Sequence, residues 1–455
     1  MDGPGGTGKT YVFNALLDAV RRNGDIAIAV ASSGTAALLL RGGRTAHSTF
    51  KIPIKIEQHS QCNFNHGSAV ARLIQSAKLI IWDEASMIRK DVINAVDRSF
   101  REILRIEDPM NDDIPFGGKL IVFGGDFRQV LPVVPRGSKT DIISQCINQM
   151  EMWTEVGILP LTENMRVNQA LTGNNHALAS HLQRFTDFLL SIGNGTAPTI
   201  LDSQYTRVPD NMILPVSTSA ELSRRVFNNF STNHDVSPSV LAGRAILATT
   251  NVNVNTINDE LINSFRGTPV TYNSIDTIEN QEDELNFPVE FLNSINISSL
   301  PPHNLRLKVG APIMMLRNLS FENGVCNGTR LICTALQRNV IRATIITGPS
   351  TGTSVLIPRI PIFSDPEQCG VEFKRLQFPV RLAFAMTINK AQGQTMDSIG
   401  LYLPTPVFGH GQLYVALSRA KKPEDIIILL DKEASQFEHH QGFHTANIVY
   451  SEVLQ

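Results

Sequence analysis

Residues 3–10 read GPGGTGKT, a complete G-x-x-x-x-G-K-T, and this stretch decides the reading of the chain. Its glycines let successive backbone amides converge on phosphate oxygens, Lys9 adds a point charge, and Thr10 stands where a hydroxyl ligates magnesium. Gly3, Gly5, Gly6, Thr7, Gly8, Lys9 and Thr10 are therefore the candidate nucleotide-phosphate residues. Directly after them Phe13, Leu16, Leu17 and Val20 recur at i, i+3, i+4, i+7, which predicts a helix with one buried face, stopped at Asn23-Gly24.

Downstream, three short continuous apolar runs follow: IAIAVA (26–31), KLIIWDE (78–84) and KLIVFGGD (119–126). Runs of this length, bounded by turn residues, suit strands buried on both faces of a parallel sheet. A second set stands at 244–251, 382–387, 399–403 and 426–430, so two doubly wound α/β domains are expected. Between them, 270–305 is polar and proline-marked and reads as a long loop, while 305–360 holds short β-type segments suggesting a small inserted β-barrel. Residues 51–70 read as a smaller polar insertion.

The composition fits a folded intracellular protein. At 455 residues, the length suggests roughly three globular units. The five cysteines show no metal-like or paired spacing, which points to a reducing compartment. No apolar run is long enough to cross a bilayer, and a net charge of −2 neither indicates nor excludes nucleic acid.

Several further residues carry candidate chemistry. Asp83 and Glu84 end an apolar strand: one carboxylate for magnesium, its neighbour for the attacking water. Gln129 follows the next strand, where it could report a γ-phosphate at the carboxyl edge of the sheet. Arg166 in LTENMR and Arg419 in GQLYVALSRA offer the planar cation suited to charge on a transferring phosphoryl group. Ser33 is a plausible N-cap whose helix could grip a nucleic-acid phosphate, and Lys390 sits in a loop suited to backbone contact.

Taken in order, GPGGTGKT, ASSGTAALLLRGGRTAHSTFKIP, WDEASM, PFGGKLIVFGGDFRQVLPV, LTENMR, LSIGNG, the LPPHNLRLKVGAPIMMLRNL and CNGTRL pair, NKAQGQT and LYVALSRA resemble petite-integration-frequency (PIF-type) DNA helicases over essentially the whole chain. Within that group the sequence is similar to the PIF-like proteins of genomes carrying Helitron-type elements. The resemblance implies two RecA-like P-loop motor domains: 1–165 as the first, 166–304 with 361–455 as the second, and 305–360 as a barrel inserted in the second. It implies ATP with magnesium between the two domains, movement 5′ to 3′ on single-stranded DNA, and unwinding of forked DNA in repair, recombination and telomere maintenance. A nuclear monomer is the implied form. Under it Lys9, Thr10, Asp83, Glu84 and Gln129 serve the nucleotide, and Arg166 and Arg419 complete the site from across the cleft. Thr35, His47 and Lys390 contact DNA, and 51–70 is the strand-separating wedge.

The chain departs from the family pattern at Asn194, at Asn389, and before the phosphate loop, where only Met1 and Asp2 stand. The strand that should feed the loop is then expected to be missing, leaving KLIIWDE with unpaired backbone groups and the loop frayed. The rival expectation is a truncated or domesticated copy that binds single-stranded DNA with little ATPase. A GTPase-type switch has no Asn-Lys-x-Asp to read guanine.

Overall fold

The computed structural model describes residues 1–200, 204–215, 218–227, 238–279, 286–431, 435–437 and 440–454. The chain divides into two compact units. The first comprises Met1–Arg207, Val407–Ser418 and His444–Gln455; the second comprises Val208–Pro406 and Arg419–Phe443. The first unit thus extends past residue 165 and takes in a helix from far downstream.

In the first unit the strands β1 (Ile26–Ala31), β2 (Arg44–Thr45), β3 (Ala77–Asp83) and β4 (Ile121–Phe123) form a wholly parallel sheet in the order β2-β1-β3-β4. Their apolar runs explain the pairing, since both faces are covered. Trp82, Ile80 and Val30 pack with Phe50, Phe100 and Phe116 in one core on one side. The helix Lys9–Arg22 has a narrower buried stripe than its periodicity predicts: Phe13 and Leu17 are fully buried, but Leu16 is exposed and Val20 only half-buried. KLIVFGGD also yields a shorter strand than its apolar run, because Gly124 and Gly125 turn the chain away after Phe123.

The expectation that KLIIWDE would lack a neighbour is not met, because β3 is paired on both sides. Upstream of the loop it is Asp2 that bridges in parallel to Gly125 and Pro160, with Asp2 N–H donating to Leu159 O at 3.0 Å and Leu161 N–H to Asp2 O at 2.7 Å. Register alone could not reveal this: the feeding segment lies beyond β4, not beside β3.

The second unit holds a parallel sheet of Ala385–Thr387, Arg244–Ala248, Ser398–Leu403 and Ile426–Leu430, in that spatial order. Between its first two strands in sequence, the β-rich segment forms a five-stranded antiparallel sheet. Its spatial order is Ser354–Pro358, Val340–Ile345, Arg330–Leu336, Pro312–Met315 and Val380–Leu382. Among the described residues no pairing joins the two outer strands, so the small barrel anticipated for 305–360 is not confirmed. Nor is 270–305 a featureless loop. It contains strands Val270–Asn273 and Ile275–Thr277 and the helix Val289–Ser294, with 280–285 outside the described residues. Its polar, proline-marked texture hid short strands that pair with Asn304–Leu307 and Lys374–Gln377, remote partners that local sequence does not display.

Candidate active site

The phosphate loop lies at the carboxyl edge of the first sheet. Gly6 and Gly8 take φ of +92° and +87°, a left-handed backbone that favours glycine, and Gly8 is the N-cap of the helix Lys9–Arg22. Thr7 is buried and donates its hydroxyl to Pro4 O at 2.9 Å, which closes the turn from within. The Lys9 ammonium folds over the loop and donates to the carbonyls of Gly3 and Pro4. Gly5 is exposed and Thr10 half-buried at the first turn of the helix.

Asp83 and Glu84 end β3 against this loop. Both are buried, and the Glu84 N–H donates to Asp83 Oδ1 at 2.8 Å. Glu84 itself has φ +52°, an uncommon conformation for a non-glycine residue that costs of order 1–3 kcal/mol and concentrates at functional sites. Burial pushes the Asp83 carboxyl above its ordinary value, opposed by the Glu84 N–H and the Lys9 charge. The close approach requires Gly124. A Cβ there would stand 2.3 Å from Phe13 Cζ and 3.1 Å from Asp83 Oδ1.

Gln129 lies in the turn after β4, 3% exposed, with its Nε2 donating to Asp126 Oδ2 at 3.2 Å. Arg166 is the second residue of the helix Met165–Thr172, whose N-cap is Asn164; Met165 N–H donates to Gly6 O at 3.0 Å, so this helix start abuts the phosphate loop. Burial lowers the Arg166 guanidinium below its ordinary value. Arg419 belongs to the second unit, where its Nη1 donates to Gln394 O at 3.2 Å.

The candidate DNA residues are distributed over both units. Ser33 caps the helix Gly34–Leu39, as its sequence predicts, and its hydroxyl lies 3.2 Å from the Thr35 hydroxyl. His47 is exposed on the short helix Ala46–Phe50. Lys390 lies in the second unit after the strand Ala385–Thr387. Burial, with the Arg381 and Arg317 charges beside it, presses its ammonium down to about 8.

Four residues at the site were not singled out from the sequence. Asp126 is fully buried, and Arg128 donates to it from Nη1 at 3.2 Å and to Asn194 Oδ1 from Nε at 2.7 Å. Tyr414, on the helix Gln412–Ser418, donates its hydroxyl to Asp126 Oδ2 at 3.0 Å. Asn164 lies against Gly6. Asp126 and Arg128 stand inside GGDFRQVLP, where only Gln129 drew notice; Tyr414 is 288 residues from its partner, a pairing that no local signal announces.

Two family models match the chain: PIF1-like helicase over residues 1–202, and the 2B domain of DNA helicase Pif1 over 290–336. The chain belongs to the PIF1-like helicase family. It is similar to the ATP-dependent DNA helicase Pif1 of Campylobacter jejuni, at 25% identity over 99% of this chain and 91% of that one. It is 27% identical to the Xenopus laevis ATP-dependent DNA helicase PIF1 over 94% of this chain, and there spans only 58% of the relative's length. Among solved structures it resembles Bacteroides Pif1 bound to ssDNA, with a TM-score of 0.64 and 26% identity over 94% of this chain and 87% of that one. A structure of two Pif1 helicases at forked dsDNA gives a TM-score of 0.63 at 26% identity, over 94% and 86% of the two chains. The parallel sheets of both units agree with the α/β architecture of this PIF1-like family.

Proposed function

We propose that this chain is an ATP-dependent DNA helicase that couples ATP hydrolysis to 5′-to-3′ movement on single-stranded DNA and to unwinding of forked DNA. The observation that carries the reading is the gathering, at one sheet edge, of the phosphate loop, the buried Asp83–Glu84 pair and Gln129. The loop's positive-φ glycines leave amides free to converge on phosphate, and a buried carboxylate fits a hard cation. In this reading Gly3, Gly5, Gly6, Thr7, Gly8 and Lys9 hold the phosphates of ATP, the substrate. Thr10 and Asp83 hold magnesium, which when bound offsets charge on the phosphates. Glu84 orients and deprotonates the attacking water, and its fixed left-handed backbone pre-sets that carboxylate. Arg166 and Arg419 are proposed, on their motifs, as the arginines for charge on the transferred phosphoryl group.

Thr35, His47 and Lys390 are proposed as contacts to the DNA backbone. The segment 51–70 is proposed as the wedge; it folds back on the helix Lys90–Leu104, with Cys62 N–H donating to Ser99 Oγ at 2.8 Å, and leaves Ile54 97% exposed. A nuclear monomer acting in repair, recombination and telomere maintenance completes the proposal. No described helix is long and apolar enough to cross a membrane.

The test is ATP hydrolysis with and without single-stranded DNA, over a range of salt. Strong stimulation is expected, with DNA affinity falling steeply as salt rises, at a slope of about −0.7 per phosphate contacted. DNA binding without hydrolysis would instead identify a binding protein that has lost its motor.

Lys390 adds a pH signature. Its ammonium, held down to about 8, is charged below that pH and neutral above it, so its attraction for phosphate is lost as pH rises through it. Single-stranded DNA affinity at constant salt is expected to fall between neutral and mildly alkaline pH, and the fall should flatten in Lys390→Arg, which keeps its charge. The same fall in both proteins would remove Lys390 from the DNA contact.

A further inference from the structure

The carboxylate of Asp126 lies fully buried in the first unit and accepts four hydrogen bonds. Oδ1 receives the backbone N–H and the Nη1 of Arg128, both at 3.2 Å; Oδ2 receives Gln129 Nε2 at 3.2 Å and the Tyr414 hydroxyl at 3.0 Å. The other half of the Gln129 amide, Oε1, is buried without a hydrogen-bond partner. Buried acceptors are almost always satisfied, and an orphan in a native site marks a place where a donor arrives with the ligand or with water.

Chemistry fixes which way this amide stands. A carboxylate only accepts, so the group that Gln129 turns to Asp126 is its nitrogen, and the oxygen is what it has left to offer. Tyr414 clamps the same carboxylate oxygen from the helix Gln412–Ser418, so one oxygen of Asp126 is shared by the amide and the phenol. Tyr414 is itself held tightly: a Cβ on Gly193 would stand 2.9 Å from its Cδ2 and 3.1 Å from Arg128 Cβ.

We infer that Asp126 and Tyr414 are positioning residues that hold the Gln129 amide with its oxygen as the presented group, so that Gln129 serves hydrolysis as a hydrogen-bond acceptor for the attacking water. A γ-phosphate reporter, the role its sequence position suggests, would need to present an N–H, since phosphate oxygens only accept. The inference rests on the ATPase reading above and adds to it the polarity of the contact and two residues that set it.

Exchanging the polarity tests it, in the full chain with saturating single-stranded DNA. Asp126→Asn offers both a donor and an acceptor, so the amide can turn over; kcat is expected to fall about tenfold or more with the ATP KM within about twofold. Gln129→Glu sets two carboxylates face to face and is expected to fall at least as far. In the double variant the Asn nitrogen donates to one Glu oxygen and leaves the other as the presented acceptor, so kcat should return to within about threefold of the parent. Tyr414→Phe is expected to lose kcat a few-fold at unchanged KM, and it keeps the test open should an Asp126 variant melt early. A folded double variant no better than the worse single one overturns the inference, as does a loss confined to KM. A parent with no DNA-stimulated hydrolysis removes the ATPase reading and this inference with it.

Discussion

Lys9→Ala is expected to lower DNA-stimulated ATP turnover by roughly 10²–10³-fold, the scale observed when one charge-stabilising donor is removed from a preorganised site. The Lys9 ammonium begins the helix Lys9–Arg22 and folds back over the loop carbonyls of Gly3 and Pro4. It is thus held close to the place where phosphate binds, by hydrogen bonds that a phosphate can replace. Alanine also forfeits those two bonds, at about 0.5–1.5 kcal/mol each, so a small fall in melting temperature accompanies the kinetic loss without unfolding. A complete loss of folding would mean that Lys9 is principally structural. Turnover within a factor of two of the parent would place the phosphate site elsewhere.

Arg330→Met is expected to destabilise the second unit strongly. Arg330 is fully buried on the strand Arg330–Leu336 and donates to Ala242 O at 2.9 Å and to Arg244 O at 2.7 Å, with further bonds to Ala383 O and Leu241 O. Those carbonyls flank the parallel strands Arg244–Ala248 and Ala385–Thr387, so one side chain ties the inserted antiparallel sheet to the parallel one. Burial lowers its guanidinium only to about 10, and it remains charged at neutral pH. Methionine fills much of the stem volume but takes this donor from four carbonyls, and at roughly 1–3 kcal/mol for each buried one left unsatisfied the total is expected to be about 3–5 kcal/mol. Against a typical total of about 5–15 kcal/mol, that is a large fraction. The melting transition of this unit should fall by roughly 6–20 °C, at 2–4 °C per kcal/mol for a unit of this size. Arg330→Lys, with fewer donors, should lie between. An unchanged or raised melting temperature would show that the carbonyls find other donors and that the anchor lies elsewhere.

The contrast between these residues shows how much was legible in the chain. Lys9 announces itself because its chemistry is local: glycines, lysine and hydroxyl must follow one another to wrap a phosphate. Arg330 does not, because a buried arginine in TRLICTAL looks like a charge on a strand face until remote carbonyls are placed around it. The apolar runs of both parallel sheets were readable for the same local reason, since a strand covered on both faces must be continuously apolar. The extra strands in 270–305 were not, because their partners at Asn304–Leu307 and Lys374–Gln377 supply the hydrogen bonds that their own polar sequence does not suggest.

The same division runs through the candidate site. Sequence by itself determined the phosphate loop, the acids Asp83 and Glu84 at a strand end, and the presence of Gln129, because each follows from the order of adjacent residues. Only the tertiary structure decided that Glu84 is held at φ +52° and that Asp2 stands in the place of the feeding strand's end, bridged to Gly125 and Pro160. It likewise decided that a tyrosine 288 residues from Asp126 shares its carboxylate with Gln129. For Asp2 and Tyr414 the physical reason is the same. A hydrogen bond is specified by the meeting of two groups in space, and a linear pattern carries that information only when the two groups are neighbours along the chain.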